Sequence, residues 1–285
     1  MRSFSSFSKK KWTERMPRPS LLHLDVQELD DHTFRVKTDS SYWNATSAFG
    51  GWVAAVAITL VKQSPDFRGE ILTQQMQFIR PVSAPEIDVT VRRLARHTTI
   101  DFWRVEVHDE SQNVLVTADL TAGTRKTSDI GFELDAPADA EDAGMVMELT
   151  ELHPTWTAHF EQVMIKGEPF TVAERPRSLV RARPVNDVAF DPTVLAMICD
   201  SPMPRTFFVS ADLVFCSTIS LAIHIYATDE QIAAVARDFV VVEADSAVIR
   251  NNTLNQEVRV FRHDGLLLAS SYQTAIFKPP KGQRQ

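Results

Sequence analysis

Alternating apolar and polar positions recur along most of the chain and predict a protein built mainly of β-strands. Within residues 71–79, for example, Met76 and Phe78 alternate with Gln75 and Gln77. In the first half the pattern predicts strands over residues 34–36, 71–79, 87–92, 102–108 and 114–122. In the second half it predicts strands over residues 206–215, 219–226, 239–249, 257–262 and 266–277, with a hairpin turn at 263–265.

Two segments carry apolar residues at helical spacing instead, one in each half. The first predicted helix follows Gly50-Gly51, and its apolar positions are Trp52, Val53, Val56, Ala57, Leu60 and Val61. We expect Ser47 or the two glycines to cap its N-terminus. The second predicted helix begins at Asp191-Pro192, a capping residue followed by proline at the first helical position, and Pro202 ends it.

The order of the elements is the same in both halves, because each half has one helix followed by several long strands. This order indicates an α+β fold that arose by internal duplication. Residues 128–144 are acidic and rich in alanine and proline, which is typical of a surface linker. We therefore divide the chain into a disordered or targeting tail (1–20), an N-terminal module (21–127), a linker (128–160) and a C-terminal module (161–280).

Composition and charge exclude several classes of function. The 285 residues carry a formal net charge of −7, which argues against a nucleic-acid binder. The longest apolar stretch, 52–61, is too short to span a membrane, and two cysteines with scattered histidines predict no metal site. No glycine-rich phosphate loop occurs. The basic, serine-rich first twenty residues lack a secretory signal, so we expect a cytoplasmic protein and leave a mitochondrial or peroxisomal location open.

Three phrases, in this order along the chain, resemble the acyl-CoA thioesterase II family. They are FGGWVA (49–54), FIRP (78–81) and GLLLASSYQ (265–273), and the resemblance extends over roughly residues 29–278. It implies a double hotdog fold, in which each of two tandem modules has a long helix wrapped by a curved antiparallel sheet. It also implies hydrolysis of fatty acyl-CoA thioesters with no metal, no cofactor and no covalent intermediate.

The resemblance also implies a catalytic trio that holds the attacking water. Its aspartate, near the end of the second helix, matches Asp200, its hydroxyl residue matches Thr218, and its glutamine in the last strand matches Gln273. Asp200 follows an apolar helical segment, where desolvation raises the pKa of a carboxyl group toward the range of a general base. The N–H groups of Gly50-Gly51 are candidates to hold the oxyanion.

The expected substrate is an acyl-CoA, and the arginines on the first-module strands are candidates for its phosphates: Arg80, Arg92, Arg93, Arg96 and Arg104. Association into a homodimer or a higher homo-oligomer is expected as well. Two alternatives stay open at this stage. One is a double-hotdog protein that binds acyl ligands without catalysis, and the other is a thioesterase acting on acyl groups bound to a carrier protein.

Overall fold

A computed structural model describes residues 24–30, 32–151, 153–186 and 188–278. The predicted tail at 1–20 lies outside these residues. Within the described ranges, no helix is both long enough and apolar enough to cross a membrane.

Strands make up most of the regular structure. The first seven strands are β1 (Val26–Asp30), β2 (Thr33–Lys37), β3 (Glu70–Phe78), β4 (Glu86–Arg96), β5 (Ile100–His108), β6 (Val114–Gly123) and β7 (Met145–Val146). The other seven are β8 (Phe160–Lys166), β9 (Ser178–Pro184), β10 (Cys216–Ile225), β11 (Val240–Asp245), β12 (Ile249–Arg250), β13 (Thr253–Phe261) and β14 (Leu267–Phe277). The α-helices are α1 (Gly50–Gln63), α2 (Pro192–Cys199) and α3 (Asp229–Ala233).

The strands form one antiparallel sheet in which the same arrangement occurs twice. Its order is β1-β2-β4-β5-β6-β3-β10-β14-β13-β11-β9-β8-β7, and β12 pairs with β13 outside this path. On one side of the central β3–β10 pair the order is 2-4-5-6-3, and on the other side it is 9-11-13-14-10 read from the far edge. Corresponding strands thus occupy corresponding places, and this confirms the predicted duplication.

The two main helices lie against each other inside the sheet. Ten of the fourteen residues of α1 are buried, and every residue of α2 is buried. Gly51 permits close packing, because a Cβ atom at this position would lie 2.9 Å from the Cα atom of Met197. Each fully buried aliphatic side chain of this kind contributes about 1.5–3 kcal/mol by its removal from water. The helix pair therefore forms the centre of the core shared by both modules.

The caps of the two helices differ. Asp191 caps α2 as predicted, since its carboxylate accepts hydrogen bonds from the N–H groups of Thr193 and Val194. The expected cap of α1 by Ser47 or the glycines is wrong, because Phe49 is the N-cap residue and makes no side-chain capping bond. The first N–H groups of α1 are consequently left for other acceptors.

The strand prediction missed β8 and β9, which precede the second helix, and it is wrong at residues 206–215. Residues Arg205–Phe208 form a 3₁₀ helix, and the chain stays irregular up to β10. Arg205 accounts for the difference. Its guanidinium group is completely buried and donates hydrogen bonds to acceptors on several segments, and the tight turn places it within reach of them. The second helix is also shorter than the first, with eight residues against fourteen.

The segment predicted as a linker contains ordered contacts. Residues Thr155–His159 form a 3₁₀ helix, and the ring of Trp156 stacks on Phe49 with 4.2 Å between the centroids. Asp139 forms ion pairs with Lys166 and Arg177. These contacts attach the segment to both modules.

Candidate active site

The carboxylate of Asp200 lies where the second helix ends. Asp200 is the C-cap residue of α2, and its backbone N–H still donates to the carbonyl groups of Met197 and Ile198. Its position is therefore fixed by a buried helix that is capped at the other end by Asp191. The residue itself is half-buried.

Gln273 brings the predicted trio together. Its Nε2 atom donates one hydrogen bond to Asp200 Oδ1 over 2.9 Å and another to Thr218 Oγ1 over 2.7 Å. Thr218 and Gln273 lie on the adjacent strands β10 and β14, and the pairing of these strands is irregular between Thr218 and Ser220. The three side chains, which are far apart along the sequence, thus meet at one point.

The start of the first helix lies against the carboxylate of Asp200. A Cβ atom on Gly50 would lie 2.7 Å from Asp200 Oδ2, so only glycine lets the carboxylate approach the backbone this closely. The Gly51 N–H forms a hydrogen bond with the carboxylate, which lowers the pKa of Asp200. No side chain caps α1, and the Asp200 carboxylate accepts from one of the N–H groups that a cap would have bonded. The site therefore contains parts of both modules.

Burial controls the charge of the aspartate. Removal from water raises the pKa of Asp200 to about 7, although the hydrogen bonds from Gly51 and Gln273 oppose this rise. A carboxyl group with this pKa can take up and release a proton at neutral pH, which is the property required of a general acid or base.

Two further polar residues next to the trio were missed in the sequence. Gln256, on β13, lies directly opposite Gln273 in the strand register, and its Nε2 atom donates to Gln273 Oε1 over 3.2 Å. Arg205 Nε in turn donates to Gln256 Oε1 over 3.0 Å. The sequence does contain a sign of Gln256. It lies on the same face of the strand as the buried residues Leu254 and Val258, where the alternation predicts an apolar side chain.

Other candidates have structural partners. Three of the arginines proposed for phosphate binding form ion pairs within the first module: Arg93 with Asp66, Arg96 with Asp101, and Arg104 with Asp119. Arg80 donates to the carbonyl group of Val114. In the described part of the chain, no cluster of three or more histidine, cysteine or acidic side chains could hold a metal ion.

Solved structures show which fold this is. The chain is similar to a conserved protein of unknown function with a hot dog fold from Alicyclobacillus acidocaldarius, with a TM-score of 0.82 and 20% identity over 90% of this chain and 96% of the other. It is also similar to the TesB protein of Mycobacterium avium subsp. paratuberculosis, with a TM-score of 0.71 and 17% identity over 90% and 96% of the two chains. A third match is an acyl-CoA thioesterase II, TesB2, from Mycobacterium marinum, with a TM-score of 0.70 and 16% identity over 92% and 98%.

Sequence profiles of protein families identify the family of the chain. A profile of the acyl-CoA thioesterase N-terminal domain matches residues 39–123, and one of the acyl-CoA thioesterase C-terminal domain matches residues 134–277. A search of curated proteins gave no match. The fold and the profiles together define a thioester hydrolase with the double hotdog fold. The chain belongs to the acyl-CoA thioesterase family, as the resemblance of its sequence predicted.

Proposed function

We propose that this chain hydrolyses acyl-CoA thioesters to the free acid and CoA, with a water molecule held by Asp200, Thr218 and Gln273. The observation that carries the proposal is the pair of hydrogen bonds from Gln273 Nε2 to Asp200 Oδ1 and Thr218 Oγ1. These bonds leave the Asp200 carboxylate able to accept a proton and the Thr218 O–H able to donate. A water molecule between the two groups has both its position and its orientation fixed.

The reaction then needs only one proton acceptor. Asp200 takes a proton from the water while the water oxygen bonds to the thioester carbonyl carbon. The tetrahedral intermediate collapses, its C–S bond breaks, and the CoA thiolate receives the proton from Asp200. General-base assistance of this kind contributes about 10²–10⁴-fold to the rate.

The developing oxyanion needs a separate donor. The Gly51 N–H already faces the carboxylate, so we assign this role to the Gly50 N–H in the first turn of α1. Loss of one such donor costs about 10²–10³-fold in rate. For the CoA phosphates we retain Arg92 among the candidate arginines, because its side chain lies on the exposed part of β4.

Release of free thiol from a series of acyl-CoA substrates tests the proposal. We expect Asp200→Asn to lose at least about 10²-fold in kcat, because the amide cannot take the proton from water. Asp191→Asn is the matched control, since it makes the same change at the other end of α2 and asparagine is an equally good N-cap. Equal rates for wild type and Asp200→Asn would contradict the role of Asp200. Turnover of acyl-carrier-protein substrates alone would move the proposal to that substrate class.

A further inference from the structure

The most unusual group next to the site is a buried arginine. Arg205 is 0% exposed, and its guanidinium group lies over the ring of Phe208 with 4.5 Å from Cζ to the ring centroid. Its N–H groups reach the carbonyl oxygens of Met203, Pro176 and Ala244 over 2.6–3.2 Å. They also reach Ser178 Oγ over 2.8 Å and Gln256 Oε1 over 3.0 Å. Most of this shell is backbone, so the guanidinium group is held in one orientation.

This fixed donor determines how the Gln256 amide is oriented. An arginine side chain can only donate hydrogen bonds, so the atom of Gln256 that faces it must be the oxygen. The Gln256 Nε2 atom then faces Gln273 Oε1 at 3.2 Å and the carbonyl oxygen of Pro202 at 3.5 Å, both of which are acceptors. The opposite amide orientation would place two donors face to face and two acceptors face to face. Burial to 2% exposure leaves Gln256 no water to compensate for such an error.

The orientation of Gln256 in turn determines the orientation of the Gln273 amide. Since Gln273 Oε1 accepts from Gln256, its Nε2 atom must point toward Asp200 and Thr218. With the opposite orientation, the amide oxygen of Gln273 would face the Asp200 carboxylate and would also compete with water for the Thr218 O–H. We propose that Arg205 and Gln256 are positioning residues that hold the Gln273 amide in its productive orientation through one directed chain of hydrogen bonds. This inference rests on the proposed function of the Asp200 site and adds two residues to it.

Gln256→Glu is the sharpest test, because it keeps the acceptor for Arg205 but removes the donor for Gln273. We expect the Gln273 amide to turn its Nε2 atom toward the introduced carboxylate, so that Asp200 loses a donor and gains a facing oxygen. The pKa of Asp200 in the ligand-free protein should rise by about one or more, because Asp200 loses a hydrogen bond to its charged form and the introduced carboxylate adds a like charge nearby. Carboxyl NMR resonances that Asp200→Asn removes would report this pKa. We also expect kcat to fall by about 10²-fold while KM stays within about threefold.

Asn255→Asp is the matched control on the same strand. Asn255 is buried as well, but its Oδ1 atom accepts from Ser246, Ala247 and Val248 and its Nδ2 atom donates to Glu257 Oε1 over 3.1 Å, so the substitution likewise keeps the acceptor and removes the donor, away from the trio. It should leave the pKa of Asp200 and kcat unchanged. Arg205→Met removes the donor that faces Gln256 Oε1 and should behave like Gln256→Glu. If Arg205→Met does not fold, the comparison of Gln256→Glu with Asn255→Asp still decides the question.

An unchanged pKa of Asp200 and an unchanged kcat in Gln256→Glu would overturn the positioning role. Equal effects of Gln256→Glu and Asn255→Asp would also overturn it, because they would indicate a general effect on the fold. If the wild type releases no thiol from any acyl-CoA, the proposed function fails. The pKa of Asp200 in the ligand-free variants would then still decide whether the chain of hydrogen bonds orients Gln273.

Discussion

Replacement of Asp200 by asparagine should change the stability of the fold in a way that depends on pH. The pKa of Asp200 lies at about 7 in the folded protein, and an aspartate in an unfolded chain has a pKa of about 3.9. Between these two values the unfolded chain is ionised at this position while the folded chain is still protonated. The wild type therefore loses stability as the pH rises from about 4 to about 7, because the folded state binds the extra proton.

The size of the effect follows from the two pKa values. Each difference of one in pKa corresponds to about 1.4 kcal/mol, so a difference of about three sets an upper limit of about 4 kcal/mol. Asp200 is half-buried, and contact with solvent reduces this limit, so we expect about 2 kcal/mol. Asparagine does not ionise and should avoid this loss. Asp200→Asn should thus gain about 2 kcal/mol relative to wild type between pH 4 and pH 8, whatever its absolute stability is at pH 4.

Urea unfolding of both proteins at several pH values measures this difference. At each pH, the difference between the two free energies of unfolding is taken. Only the pH dependence of this difference reports the pKa, because the altered local contacts contribute the same amount at every pH. Asp191→Asn, at the exposed start of the same helix, serves as the control. A difference that stays constant with pH would refute the raised pKa. A difference that moves in the opposite direction would show that the folded protein stabilises the charged carboxylate.

Three further predictions concern activity. Gly50→Ala should lower kcat by about 10²-fold, because its Cβ would lie 2.7 Å from Asp200 Oδ2 and displace the carboxylate, whereas Gly131→Ala, which meets no atom within 4 Å, should have no effect. Thr218→Val leaves one N–H of Gln273 without an acceptor and should cost about 10–10²-fold in kcat, and Thr218→Ser should restore most of it; equal rates for the two variants would contradict the role of the hydroxyl group. The pH profile of kcat/KM should rise through a pKa of about 7 as Asp200 ionises, and a profile that is flat between pH 5 and pH 9 would exclude Asp200 as the base.

Local patterns predicted the long strands of the first module and the hairpin turn at 263–265, but they missed β8 and β9. The strands β3 to β6 lie within a few residues of their predicted positions, because long alternation survives small errors at the ends. The prediction of a strand at residues 206–215 is wrong, because Arg205–Phe208 form a 3₁₀ helix there. The true structure there depends on where a buried guanidinium group finds its acceptors, and these come from distant segments such as Ser178 and Ala244. No pattern within the segment itself contains that information.

The sequence also could not tell which face of the last strand Gln273 occupies, since its neighbours Tyr272 and Thr274 suit either face of a sheet. The strand register answers the question, because Gln273 pairs with Leu221 on one neighbour and Gln256 on the other, and all three are buried. The resemblance to the family pointed to Gln273. Only the fold places Gln256 beside it, because the contact joins two different strands.

The duplication makes the position of the site understandable. Thr218 pairs with Ala275 immediately before an irregularity in the β10–β14 register, and Ile71 pairs with Ala122 immediately before a similar irregularity between β3 and β6. Thr218 and Ile71 therefore occupy equivalent places in the two modules. The residue two positions before each alanine is Gln273 in the second module and Leu120 in the first.

The same comparison extends to the next strand. Gln273 pairs with Gln256, and Leu120 pairs with Trp103, so these partners are equivalent too. The first-module residues Leu120 and Trp103 are buried apolar core, as is Ile71. At these three pairs of equivalent positions the second module is polar and the first is apolar, although the first module has a buried glutamine of its own, Gln74, which pairs with Leu120.

This asymmetry implies a division of roles between the modules. A buried polar side chain without a hydrogen-bond partner costs about 1–3 kcal/mol, and the second module avoids this cost because Gln273 bonds to Asp200, Thr218 and Gln256. The first module keeps the apolar positions and contributes the uncapped start of α1, where Gly50 lets the carboxylate approach. A second-module fragment alone would lack that helix start, and a first-module fragment would lack every polar side chain of the trio. We therefore expect one active site per chain, and we expect it to require both modules in contact.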